Sequence, residues 1–120
     1  MIKISEPHVL DESLEVLASI FSSGHLVHGP HAEQAEHTFC EVLTSAHAIL
    51  VSSGTAALHL ALLALNIGSQ DAVLVPNMTF PATINVVQLV GARPILVDVD
   101  PQSYVMTADT LQNAIDHYQT

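Results

Sequence analysis

The residues best suited to chemistry lie in a short turn, residues 52–55, between two apolar segments. A predicted strand at 48–51 precedes the turn, and an apolar helix begins at Thr55 or the next residue. This order directs backbone N–H groups and the positive end of a helix dipole at one point, which is a binding site for an anion, above all a phosphate. Gly54 lets the backbone approach a ligand closely, and the hydroxyls of Ser53 and Thr55 add hydrogen bonds.

The same turn has a simpler interpretation, in which a Ser or Thr only caps the helix and no ligand binds. Corners of this kind are common in α/β proteins, and Ser and Thr are preferred N-cap residues. From the turn alone both interpretations stay open.

The surrounding elements place this turn in an α/β fold. Residues 1–45 are expected to form a helical N-terminal segment, and residues 46–120 the beginning of an α/β domain. Alternating strands and helices with short connections are typical of a parallel sheet with right-handed crossovers. The predicted helices cover residues 11–22, 30–43, 55–66, 79–90 and a last stretch from Thr107 or Asp109 through Ile115; the predicted strands cover 48–51, 72–75 and 94–98.

Charge and composition exclude several classes of partner. Twelve acidic residues stand against Lys3 and Arg93, a net charge of −10, which argues against binding to nucleic acid or an anionic membrane surface. No apolar run has the length of a membrane span, and the N-terminus lacks the pattern of a secretion signal. Cys40 is the single cysteine, which excludes an internal disulfide and fits a cytoplasmic protein.

The eight histidines raise the question of a metal site. His25, His28 and His31 are spaced by three residues, but they straddle Gly29 and Pro30, and no cysteine or carboxylate completes a recognisable ligand set. We therefore predict no metal site.

Two longer segments carry a family resemblance. SSGTAALHLALLAL and VPNMTFPATINVVQLVGARPILVDVDPQSYVM closely resemble the DegT/DnrJ/StrS family of sugar aminotransferases, which depend on pyridoxal phosphate (PLP) and have fold type I. The opening EPHVLDESLEVLASIFSSGHLVHGP is similar to that family's opening, which ends in a Gly-Pro loop near the substrate. The resemblance covers essentially the whole chain, as an N-terminal segment of the family's large domain. It implies a nucleotide-linked keto sugar as substrate, glutamate or glutamine as amino donor, and a homodimer when complete.

The resemblance also assigns roles to residues. Ser53, Gly54 and Thr55 would bind the cofactor phosphate, and Phe80 would stack on the pyridine ring. An aromatic at the carboxyl end of a strand does offer a flat apolar face. Without the resemblance, we would interpret Phe80 as an ordinary core residue.

The family's Schiff-base lysine and its ring-nitrogen carboxylate lie in motifs that are absent here, and Lys3 matches neither. We therefore expect no catalytic residue in this chain and expect the 120 residues alone to neither transaminate nor fold stably. The alternatives are a truncated or non-catalytic remnant that at most binds a phosphate ligand or a partner chain, or an unrelated small α/β binding module. A dehydratase of the same fold also stays open, because the residue at the lysine position would decide it.

Overall fold

The structure, a computed structural model, describes residues 5–118. The chain forms two compact units that are divided between Leu50 and Val51. The first unit contains helix α1, Ser13–Ser23, and helix α2, Pro30–Leu43. Pro30 begins α2 as predicted, since a missing N–H costs nothing at a first helical position.

The second unit is an α/β arrangement around a short parallel sheet. Strands β1, Ala72–Pro76, and β2, Arg93–Val97, pair in parallel, with Ala72 opposite Arg93 and Pro76 opposite Val97. This confirms the predicted α/β class, with a partial parallel sheet preceded by two helices. The helices of this unit are α3, Gly54–Ala64; α4, Ala82–Leu89; and α5, Ala108–Tyr118.

The core lies between α4 and the sheet. Val75 of β1 and Val87 of α4 are buried and cluster with Ala92, which leads into β2. Gly91 reverses the chain between α4 and β2 with a φ of +81°, a left-handed conformation that favours glycine. Its N–H donates to Gln88 O at 2.9 Å, which ends the helix. Helix α3 packs on α4, and α5 packs on β2.

The predicted strand at 48–51 is wrong: the described residues contain a sheet of two strands, not three. A strand needs a hydrogen-bonded neighbour, and within residues 5–118 no segment pairs with this one. The backbone N–H of Leu50 instead donates to the Glu36 carboxylate at 2.8 Å. The apolar run is strand-like in sequence, but its pairing depends on a partner that local sequence does not provide.

Helix α4 begins at Ala82, three residues later than predicted. Pro81 is the cause, because the ring of a proline disfavours helical backbone in the residue before it. Phe80 therefore precedes the helix and does not share a helical face with Ile84 and Val87. Smaller shifts occur elsewhere: α1 begins at Ser13, α3 at Gly54 and β2 at Arg93.

Candidate functional site

The first turn of α3 forms one wall of the candidate site. Ser53 is its N-cap, with extended backbone at φ −164° and ψ 160°. Its Oγ accepts the backbone N–H of Ala56 at 3.1 Å, and its carbonyl accepts that of Ala57 at 3.0 Å. The Ser53 side chain therefore caps the helix, which is the part of the simpler interpretation that the structure tests. Capping uses the hydroxyl oxygen as an acceptor, so the hydroxyl still has a proton to donate to a ligand.

Gly54 and Thr55 follow the cap with their N–H groups directed out of the helix end. The first N–H groups of an α-helix have no intrahelical acceptor, so these two residues offer donors to an anion. A Cβ built on Gly54 would meet no atom within 4 Å, and its backbone is not left-handed. Nothing in the described chain therefore requires a glycine at this position. The space in front of its backbone is open.

Helices α3 and α4 both begin at one open cleft of about 680 Å³. Residues of both first turns line it, so the positive ends of two helix dipoles lie beside it without a cationic side chain. The lining residues are Gly54, Thr55, Ala57, Leu58 and Ala61 of α3, with Phe80, Ala82 and Thr83.

The first turns of the five described helices differ in charge. Helices α1, α2 and α5 carry Glu15, Glu33 and Asp109 in their first turns, whereas α3 and α4 carry no acidic residue there. An acidic side chain would neutralise the helix dipole and repel an anion. The two helices that start at the cleft are therefore the two that leave this potential available to a ligand.

Phe80 lies on the loop that enters this cleft. Its side chain is 76% exposed, so it is not a core residue of the described chain. The hydroxyl oxygens of Thr79 and Thr83, on either side of it in sequence, lie 3.1 Å apart. The structure thus brings Gly54, Thr55 and Phe80 to one cleft and places the cap residue Ser53 directly before them.

Asp100 has a structural role at the turn that follows β2. Its Oδ1 accepts the N–H of Ser103 at 2.7 Å, the hydroxyl of Ser103 at 2.9 Å and the N–H of Gln102 at 3.1 Å. The bonds from Ser103, followed by that from Gln102, lower the pKa of this carboxyl below its usual 3.8. The residue closes its own loop and is not placed at the cleft.

The other candidates lie apart from the cleft. In the described residues no three His, Cys, Asp or Glu side chains group as metal ligands. His31 Nε2 lies 3.2 Å from the Ser19 hydroxyl oxygen. Lys3 is outside residues 5–118. Within that range, no helix combines the length and the apolar character needed to cross a membrane.

Sequence reasoning missed the start of α4 as part of the site. The signal was the uncharged stretch from Thr79 to Thr83, but the predicted helix start at Thr79 hid it. It also missed a link between the two strand ends, where the Asn77 amide donates to Asp98 Oδ1. Local sequence cannot supply that link, because it depends on the parallel pairing of β1 with β2.

Residues 7–120 match the DegT/DnrJ/EryC1/StrS aminotransferase family, and the chain belongs to that family. Its structure is similar to a protein of Streptococcus pneumoniae assigned as a sugar aminotransferase, in its PLP form. The TM-score is 0.87 at 31% identity, over 94% of this chain and 29% of that one. The same protein also matches in its pyridoxamine phosphate (PMP) form.

Two further solved structures are similar. A DegT/DnrJ/EryC1/StrS aminotransferase of Brucella abortus gives a TM-score of 0.81 at 39% identity, over 88% of this chain and 28% of that one. NtdA of Bacillus subtilis, with bound PMP, gives 0.80 at 35% identity, over 87% and 24%. The chain thus spans less than a third of each of these proteins.

Proposed function

We propose that this chain forms part of the PLP site of a sugar aminotransferase. Ser53, Gly54 and Thr55 hold the cofactor phosphate, and Phe80 contacts the pyridine ring. The observation that carries the proposal is the single cleft lined by Gly54, Thr55 and Phe80, at which two acid-free helix starts meet. The PLP and PMP forms of the relatives support the same cofactor.

The residues present fit a phosphorylated aromatic ligand. The N–H groups of Gly54 and Thr55, with two hydroxyls, are donors suited to phosphate oxygens. The remainder of the cleft is largely apolar and suits the faces of a ring. No lining residue is acidic, although the whole chain carries a net charge of −10.

When bound, PLP supplies an electron sink that lets an amino group pass from donor to acceptor. This chain's own residues would contribute binding: they would donate hydrogen bonds to the phosphate and hold the ring through contact with one of its faces. The single lysine, Lys3, matches no catalytic position of the family, so we assign no proton transfer to the 120 residues.

For the whole protein we propose transamination of a nucleotide-linked keto sugar, with glutamate or glutamine as donor, in a homodimer. The sugar aminotransferase of Streptococcus pneumoniae supports a sugar as the acceptor; the nucleotide, the donor and the homodimer come from the family resemblance alone. The cytoplasmic location stays a prediction. The second candidate is a protein that only binds a phosphate ester or a partner chain. The observation that favours it is the pair of acid-free helix starts at one cleft, which suits a phosphate ester whether or not a reaction follows.

Titration of the purified whole protein with PMP tests the proposal, because PMP binds without a bond to a lysine. The purified protein in each experiment is the whole protein, since we expect the 120 residues alone not to fold stably. We expect binding that inorganic phosphate competes away. Ser53→Asp keeps a capping oxygen but adds a negative charge, so it should abolish binding, whereas the neutral cap Ser53→Asn is the matched control and should retain most of it. No binding by the wild type, or equal binding by both variants, would refute the proposal.

A further inference from the structure

We propose that Asp98 is a positioning residue, which acts through Asn77 to hold the loop that carries Phe80. The inference rests on the proposed cofactor site. Strands β1 and β2 end side by side, with Pro76 opposite Val97, so the next residue of each strand stands at the same edge. There the Asn77 side-chain amide donates to Asp98 Oδ1.

A second bond fixes the backbone at this point. The N–H of Asn77 donates to Val97 O at 2.9 Å, which extends the pairing of β1 with β2 by one step. Backbone and side chain together therefore fix the first residue of the loop 77–81 to the end of β2. A loop anchored in this way has few conformations in which to carry a side chain.

The far end of the loop is also held. The N–H of Thr83 donates to Phe80 O at 3.0 Å, and the Thr79 and Thr83 hydroxyls are in contact. Phe80 therefore lies between Asn77 and the first turn of α4, and the residue is 76% exposed. Since core packing does not fix this ring, its position depends on the loop backbone, and hence on the Asn77–Asp98 bond.

Two features make the expected effect selective. Both residues of the pair are exposed, so breaking the bond empties no part of the core. The phosphate-binding residues lie on α3, whose cap is made by Ser53 and does not involve this loop. Loss of the pair should therefore disturb the ring contact and leave the phosphate contact intact.

The test compares two ligands, PMP and inorganic phosphate, on the purified protein. We expect Asn77→Ala to weaken PMP binding about threefold to tenfold, the range for one hydrogen bond, and to change phosphate binding less than about twofold. In a Phe80→Ala background, Asn77→Ala should add less than about twofold, because the two residues act together. The exchange Asn77→Asp with Asp98→Asn reverses donor and acceptor and should restore PMP binding.

Each outcome decides a separate point. Failure of the wild type to bind either ligand overturns the cofactor site and this inference with it. Binding by the wild type that Asn77→Ala leaves unchanged, or weakens equally for both ligands, overturns the positioning role alone. If Asn77→Ala does not fold by circular dichroism, Asp98→Ala carries the same expectation, and no rescue by the exchanged pair would also contradict the proposal.

Discussion

The Oγ of Ser53 accepts the backbone N–H of Ala56 at 3.1 Å, so one residue both begins helix α3 and borders the candidate phosphate site. The Ser53 side chain can therefore cap the helix and bind a ligand at the same time. One lone pair of the hydroxyl oxygen accepts the N–H of the helix, and the hydroxyl proton stays available to an anion.

Replacement of Ser53 by Ala should lower the free energy of unfolding by about 1 kcal/mol, the usual effect of losing an N-cap. Chemical denaturation of the purified protein measures it. Ser52→Ala is the matched control, since Ser52 is exposed and does not cap the helix, and it should change stability by less than about 0.5 kcal/mol. Equal losses in both variants would argue against the cap.

Gly54→Ala and Gly91→Ala should affect different properties: the first should weaken ligand binding, and the second should lower the stability of the fold. At Gly54 a Cβ meets nothing within 4 Å, so folding is retained, but the methyl group occupies the space proposed for the phosphate and PMP binding weakens. At Gly91 the φ of +81° is strained for alanine, so stability falls by about 1–2 kcal/mol. Denaturation and PMP titration of both variants check this; unchanged PMP binding by Gly54→Ala would contradict it.

Phe80→Ala should weaken PMP binding about twofold to tenfold through loss of an aromatic contact, with little change in the binding of inorganic phosphate. Stability should change little, because the ring is 76% exposed. Phe21→Ala removes a comparably exposed ring on α1, 69% exposed, and serves as the control for PMP binding. A PMP affinity that is the same for both variants would place the ring contact elsewhere.

Protonation of Asp100 should destabilise its loop. Its pKa is lowered by the bonds from Ser103 and Gln102, so the folded protein binds this proton less readily than the unfolded chain. The resulting stabilisation is fully present above pH 3.8, the usual value, and is lost as pH falls through the lower folded pKa. Carboxyl NMR titration measures that pKa. A value at or above 3.8 contradicts the prediction, and Asp100→Asn should remove this contribution.

Prediction from sequence succeeded where a local rule decides the structure. Pro30 gave the start of α2, and the pattern before Gly54 gave the cap of α3 within one or two residues. It failed where the structure depends on another part of the chain. Residues 48–51 have no strand partner in the described range, and the effect of Pro81 on Phe80 was overlooked.

The candidate site divides in the same way. The helix start at Gly54 followed from the order of residue types around it, because a helix start is local; its binding of an anion stays a prediction. A site role for Phe80 was implied only by resemblance, since the residues alone predicted a helix over 79–90 and a core position for this ring. The roles of Ser53, Gly54, Thr55 and Phe80 stay predictions until a ligand is measured.

A phosphate site at the start of α3 is tested most directly by NMR. The backbone amide signals of Gly54 and Thr55 are followed during titration with PMP and with pyridoxamine, which lacks the phosphate. We expect PMP to shift both signals in a saturable way, inorganic phosphate to shift the same two, and pyridoxamine to leave them in place. Signals that do not move with PMP, or that move equally with pyridoxamine, would contradict a phosphate site at the start of α3.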